Sequence, residues 1–428
     1  MREILLAGIV AALSLIALVR PKIGLYAYVW YALMRPDVLA WAGGGYSFYI
    51  ALATVLGTLP HLPRLAVWFT NWISLGFILM QIPILLSIFL STDPGACWPR
   101  YNLFARVLLM ALLMLVHVQT ETDLRSMLLL IAVSLGIIGC KFGLGGILRG
   151  GARYGSGYGD TLLSDNNTLA LGFVMIIPLC FYARCLVTSR WLKLALLVMT
   201  CMTTGAVVFT YSRGGALSLA GVFLVVSWRS NRKFLTLALC LALAAPTLYL
   251  VSVPYTERLK SLTGEPDGSI MSRQNLAVAT FEMWKDHPWF GVGFGSKVHS
   301  RMVSDYLGYQ DSHVAHNNYL QIMADTGIFT FGIYALLLGG TIVTLGFSVR
   351  RVRRAAPGKE AYPAAIQASL IGFAIGSTFL SRVTFDLLYM VLMCAASWQI
   401  VERQLLSNAE VAGQPKEETP GPVSTLAV

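Results

Sequence analysis

Two histidines, His313 and His316, stand three residues apart in the run His-Val-Ala-His-Asn-Asn-Tyr-Leu that opens a long apolar stretch. Asn317 and Asn318 are of the type that caps a helix start, and the positive end of the helix dipole favours a neutral imidazole beside it. A neutral imidazole can take a proton from a hydroxyl. Arginines lie upstream: Arg213 follows Tyr211-Ser212 and precedes Gly214-Gly215, where the glycines would let a lipid headgroup approach the first turn of a helix. Arg273 falls in a segment, 269–285, whose Arg273, Leu276, Ala277, Thr280, Phe281 and Trp284 share one helical face. An arginine on an apolar face either snorkels at an interface or holds an anion. Guanidinium groups grip phosphate oxygens two at a time, so a histidine base with arginines suits a hydroxyl attacking while a phosphate group departs.

Further cations are candidate substrate contacts. Lys141 lies near the end of the apolar run 124–142, and a charge at membrane depth has a partner or a job. Beyond it, a glycine-rich stretch from Gly143 to Gly159 carries Arg149 and Arg153 and leads to Asp160 and Asp165, a loop suited to gating a cleft. Arg258 belongs to the segment 252–317, whose charges nearly cancel. Asp160, Asp165, Glu282 and Asp386 are the acids that could pair with the arginines. Other chemistries fit less well. A metal shell of His313 and His316 with Asp305, Asp311 or His299 lacks a common helical ligand spacing. Ser312 beside His313 has no G-x-S-x-G elbow, and Gly291, Gly293 and Gly295 read as a tight turn, since no strand precedes them. No metal or cofactor is expected. The seven cysteines form no C-x-x-C pair and indicate neither disulfides nor zinc.

The elements that must hold these residues are membrane helices. Of 428 residues 56% are hydrophobic and only 12% charged, and the mean hydropathy is +0.66, outside the range of soluble domains. Twelve apolar runs, 4–19, 45–60, 72–90, 103–119, 124–142, 166–183, 191–209, 214–228, 233–251, 318–347, 362–380 and 384–401, approach the roughly 20 residues that a bilayer needs. The expected class is therefore an all-α polytopic membrane protein. The stretch 23–41 is also apolar, but Arg35, Pro36 and Asp37 interrupt it, so it reads as either a crossing or a re-entrant segment. The first run lacks a small-residue cleavage site and reads as an uncleaved anchor. Basic loops at Arg184, Arg190 and Lys193, at Arg229, Arg232 and Lys233, and from Arg350 to Lys359 agree on one cytoplasmic side. Both termini then lie in the cytoplasm and 252–317 lies outside. The chain divides into an integral membrane unit, 1–403, and a disordered tail, 404–428. The net charge of +11 sits mainly in short loops beside the spans, which explains it by topology and not by nucleic acid.

Tyr211-Ser-Arg-Gly-Gly, Arg273 before Trp284, His287-Pro-Trp-Phe-Gly-Val-Gly-Phe-Gly, and His316-Asn followed by Gly327 and Thr330 occur in one order. In this the chain resembles the O-antigen ligase and polymerase superfamily of bacterial envelopes. Ala32-Leu-Met-Arg-Pro-Asp-Val-Leu is similar to its exosortase-associated O-glycosylation ligase branch. The resemblance implies a multi-pass protein of the bacterial inner membrane, among membrane lipids, that transfers glycan from undecaprenyl diphosphate to the lipid A core oligosaccharide at the periplasmic face. It also implies that His316 is the essential histidine and that Arg213 and Arg273 are the family's arginines. Within that frame His316 serves as general base, with His313 its rival, Asn317 orients a loop or a sugar hydroxyl, and Lys141, Arg153 and Arg258 contact substrate. Transfer is expected to invert the anomeric carbon without a metal. The alternatives are a polymerase or a protein O-oligosaccharyltransferase of the same superfamily, and a lipid or polysaccharide transporter. A transporter would carry repeated halves with charges near the midplane, whereas here the polar residues gather toward one outer face.

Overall fold

A computed structural model describes residues 2–40, 45–152, 154, 156–159, 163–230, 233–234, 238, 268–309 and 315–413, and every regular element among them is helical. Where no water can serve the backbone, a chain segment must satisfy its own hydrogen bonds, and helices do so. The helices are α1 (Arg2–Val19), α2 (Pro21–Met34), α3 (Pro36–Ala40), α4 (Tyr46–Thr58), α5 (Val67–Thr70), α6 (Trp72–Leu90), α7 (Pro94–His117), α8 (Glu121–Leu148) and α9 (Asn166–Leu186). They continue with α10 (Arg190–Phe209), α11 (Arg213–Arg229), α12 (Gly268–Asp286), α13 (Ser296–Leu307), α14 (Asn318–Ala335), α15 (Thr341–Ala355), α16 (Ala361–Gly376) and α17 (Asp386–Gly413).

Among the described residues, eight helical stretches are long and apolar enough to cross a membrane: α1, Tyr46–Thr70, α6, α7, α8, α9, α10 and Asn318–Ala355. Each holds one of the twelve apolar runs. Runs 214–228 and 362–380 form shorter helices, α11 of 17 residues and α16 of 16, while 384–401 lies on the 28-residue α17. Run 233–251 lies almost wholly outside the described residues. Leu387 to Trp398 of α17 are all buried, so this helix is the axis of the bundle. A helix apolar all round belongs in such a place.

Side-chain contacts sort the helix ends into two groups. At one end Arg351 meets Glu402 at 2.8 Å, Lys359 pairs with Glu121, and Arg353 donates to the Arg229 carbonyl. At the other end Arg382 meets Asp165 at 2.8 Å and Tyr211 donates to the Gly151 carbonyl at 2.9 Å. The three basic loops therefore gather at one end, as the charge pattern requires. Asn318 and Ala355 bound a membrane-length helical stretch of 38 residues, so His316 and the Arg350–Arg354 cluster lie at opposite ends.

Two expectations need correction. Tyr46 donates to Glu3 at 3.3 Å, a Cβ on Gly57 would lie 2.3 Å from the Ala17 carbonyl oxygen, and Thr58 meets His117 at 3.0 Å. Hence α1, α4 and α7 run the same way, and the Arg2 end lies with His316, not at the basic end. The reason is the stretch 23–41. Lys22 pairs with Asp123 at the basic end and Tyr158 reaches the Met34 carbonyl at the other, so α2 runs between the two ends and adds a reversal. Secondly, the stretch from Gly143 is not all loop. Helix α8 runs on to Leu148, and Gly143 and Gly146 lie against Met202 and Phe209 of α10, where a Cβ would come within 2.2 Å.

Candidate functional site

Helix α14 begins where the Asn317 side chain accepts hydrogen bonds from the Tyr319 and Leu320 amides at 3.0 and 3.1 Å. Asn317 is thus the N-cap. His316 just before it has a left-handed backbone, φ 50°, which costs a non-glycine residue of order 1–2 kcal/mol. Neighbours fix this corner. Asn318 is fully buried, donates to the Tyr334 hydroxyl at 2.9 Å and accepts from the Arg382 amide at 3.1 Å. Tyr319 donates to the Ala374 carbonyl at 2.8 Å.

Nine residues after Asn317's neighbour the helix breaks. Gly327 has φ 76° and ψ −179°, a region open essentially to glycine alone. The Pro288–Gly293 turn enters the break: Val292 and Gly293 amides donate to the carbonyls of Ala324 and Asp325 at 3.0 and 2.9 Å, and the Ile328 amide donates to Pro288 at 2.9 Å. Ser87 of α6 adds a bond to the Asp325 carbonyl at 2.7 Å. The glycines of the G-x-G-x-G motif therefore clamp a broken helix. Below them His299, Asp325 and Gln321 form a buried network, with His299 Nδ1 2.6 Å from Asp325 Oδ1 and Gln321 Nε2 3.2 Å from Oδ2. The carboxylate that His299 serves is Asp325.

These elements line a cavity of about 280 Å³ to which His316, Arg100, Arg382, Asp165, Gln321 and Asp325 contribute, together with other residues of the turns 294–296 and 380–384. That volume accepts a diphosphate and part of a sugar. Arg100 comes from the second turn of α7 and donates to Thr384. Arg382 comes from the turn before α17 and binds Asp165, the N-cap of α9. Burial pushes the Asp165 carboxyl up, but hydrogen bonds from Thr168 and Arg382 outweigh it and hold the group below the ordinary carboxylate range. The first turns of α9 and α14 also face the cavity, and helix N-termini favour anions.

The residues singled out from the sequence fall in three groups. His316 lines the cavity and Asn317 caps the helix behind it. Arg213 begins α11 at the same end and is exposed, and Lys141 on α8 is exposed with its ammonium 5.6 Å from the Tyr158 ring centre; neither lines the cavity. Gly214 and Gly215 do not leave a headgroup site. Their absent side chains admit Phe379 and Ala170, which a Cβ would approach to 2.8 and 2.6 Å. Arg273 lies on α12 at a position where only the backbone is described, and that helix spans the segment expected to be helical. Arg153, Arg258 and His313 lie outside the described residues. Among the proposed acids, Asp165 does pair with an arginine and Glu282 pairs with Lys285 at 2.8 Å.

With this geometry in place the comparison with known families becomes specific. Residues 196–335, which hold the N-cap, the helix break and His316, match the family described as O-antigen ligase. This region belongs to the O-antigen ligase superfamily. Residues 1–188 match a family of unknown function (DUF5935). No curated protein matches the chain. The O-antigen ligase region supplies His316, Gln321 and Asp325, but Arg100 and Asp165 come from the first family's span and Arg382 from neither. Arg100 and Arg382 were not among the candidates from the sequence. No motif marks either of them, and the end where they lie carries many other basic residues, so nothing in the sequence singles them out.

Proposed function

We propose that the protein is an O-antigen ligase that transfers glycan from undecaprenyl diphosphate to the lipid A core at the periplasmic face of the inner membrane. The observation that carries this reading is the meeting of His316 with Arg100 and Arg382 in one cavity opposite the basic end. The basic loops favour the cytoplasm for their own end, which leaves the cavity facing the periplasm.

The acceptor hydroxyl attacks the anomeric carbon while the bond from that carbon to the diphosphate oxygen breaks. Its proton passes to the His316 imidazole, and the electron pair of the broken bond leaves with the diphosphate. Arg100 and Arg382 oppose the charge that grows on the departing oxygens, and Arg213 and Arg273 bind diphosphate as the family resemblance implies. Single displacement inverts the anomeric centre. Cationic side chains supply the charge neutralisation that a divalent ion would otherwise give, so the reaction needs no metal. Lys141, Arg153, Arg258 and His313 are proposed to contact the glycan or diphosphate.

The test is transfer from purified undecaprenyl-diphosphate donor to lipid A core by wild type, His316→Ala and His313→Ala in the same detergent. Loss of about 10²–10⁴ in rate for His316→Ala alone supports the scheme. Loss confined to His313→Ala moves the base there. A ladder of glycan growing while still attached to the carrier identifies a polymerase instead.

A further inference from the structure

At the basic end, a cavity of about 390 Å³ lies where the last turns of α9, α11 and α15 meet the first turn of α16. The preference for positive charge on one side explains why arginines gather at this end. It does not explain why one of them is folded inward. Arg229, the last residue of α11, lines the cavity, is only partly exposed, and donates to the side chain of Gln367, a buried neutral amide. Among the described residues no carboxylate pairs with it. The charged side chains that act on it through space, apart from the Tyr182 phenol, are Arg353 and Arg350, both cations. Its neighbours fare differently, since Arg351 has Glu402 and Lys359 has Glu121. A cation drawn partly out of water without a charged partner is costly.

The carboxylate on the cavity wall, Glu360, is already engaged. It accepts from the Gly358 amide at 2.6 Å and stands 3.8 Å from Arg353. Arg353 also donates to the Arg229 carbonyl at 3.2 Å, which ties its guanidinium to the end of α11. Two guanidinium groups thus line the cavity against one carboxylate. The Tyr182 phenol lies within the fields of both arginines, and Ala361 and Ala364 bring the amino-terminal end of α16 to the wall, where a helix dipole favours an anion. Phe181 and Val226 make the rest of the lining apolar. Trp228, one residue before Arg229, is 75% exposed, and tryptophans in membrane proteins sit at the level of the lipid headgroups.

We infer that this cavity binds a phosphate group, carried by an anionic phospholipid of the adjoining leaflet or by a soluble phosphate ester. Arg229 and Arg353 grip the phosphate oxygens, and the anion supplies the charge that Arg229 lacks. The apolar wall and the exposed Trp228 favour the lipid as its source. The cavity shares no residue with the one around His316, so phosphate binding here stands apart from glycan transfer.

The test is titration of the full-length protein in phosphatidylcholine nanodiscs with short-chain phosphatidylglycerol and, separately, with inorganic phosphate. Wild type is compared with Arg229→Gln, Arg229→Lys, Cys185→Phe and Arg354→Gln. Loss of a charge-assisted contact weakens binding about 10- to 100-fold in Arg229→Gln, and Arg229→Lys recovers part of it. Cys185 is exposed at the cavity wall, so Cys185→Phe obstructs the cavity with every charge intact and weakens binding in a chain that still folds. Arg354 is exposed at the same end outside the cavity, and general attraction to a charged surface makes its loss worth no more than about fivefold. Saturable binding of phosphatidylglycerol that inorganic phosphate does not displace identifies a lipid site; binding of inorganic phosphate with the same dependence on Arg229 identifies a soluble ligand. Wild-type affinity in both Arg229→Gln and Cys185→Phe overturns the inference, as do an equal loss in Arg354→Gln and Arg229→Gln and the absence of saturable binding by either probe.

Discussion

Replacing Gly327 by alanine tests whether the broken helix holds the site. At φ 76° and ψ −179° a Cβ costs about 1–3 kcal/mol in backbone strain alone. It would also lie 2.0 Å from the Trp289 carbonyl oxygen and 2.5 Å from the Phe290 nitrogen, so the turn must withdraw. Withdrawal forfeits the three hydrogen bonds that join Pro288, Val292 and Gly293 to the helix, each worth about 0.5–1.5 kcal/mol net. A destabilisation of about 2.5–7.5 kcal/mol follows. At roughly 2 °C per kcal/mol for a long chain, the unfolding midpoint in detergent falls by about 5–15 °C. Gly332→Ala is the control, because nothing lies within 4 Å of its Cβ position on the same helix. Size-exclusion after stepwise heating, followed by transfer assays well below both midpoints, reads the two effects separately. If Gly327→Ala melts like Gly332→Ala and transfers at the wild-type rate, the clamp does not position His316.

Arg382→Gln is expected to cost about 10²–10³ in transfer rate, read as kcat at saturating acceptor, with Arg382→Lys intermediate. Asp165 gives a pH signature. Its folded pKa lies below the unfolded value near 3.9, so its stabilisation is complete above about pH 5 and is lost as pH falls through the lower folded value. Asp165→Asn keeps an N-cap but flattens that acid-side fall, as melting between pH 3 and pH 6 will show. Transfer should survive thorough chelation with EDTA; its loss, restored by Mg²⁺ or Mn²⁺, removes the metal-free scheme. A cysteine placed at Glu3 should react with a membrane-impermeant maleimide from the same side as one at Ser296, and one at Arg354 should not.

Helix class, basic-end charge and the pairing of His316 with a cap were legible because each depends on neighbours in sequence: apolar run length, Lys and Arg beside spans, and Asn317 next to the helix it starts. The direction of α1 was not. It depends on whether 14 residues of α2, stopped by Arg35-Pro36, can run from one end to the other, and run length alone argues against that. The cavity's arginines were hidden for a different reason. Arg100 and Arg382 lie 282 residues apart and belong to no motif, and only the packing of α7 against α17 brings them to Thr384 and His316. Gly214 and Gly215 show the converse, since the same small residues that admit a ligand also admit a neighbouring helix, and sequence cannot say which arrives.

The cavity draws its lining from three stretches of chain that the family boundaries keep apart. A fragment of residues 196–335 would carry the imidazole with neither cavity arginine, so on the proposed mechanism the matched region does not act alone. Exchange of specificity between relatives should therefore fail when that region is transplanted alone. A working chimera would have to inherit the 1–188 stretch and the turn before α17 from the same parent, and the protein would evolve as one unit despite its two family halves.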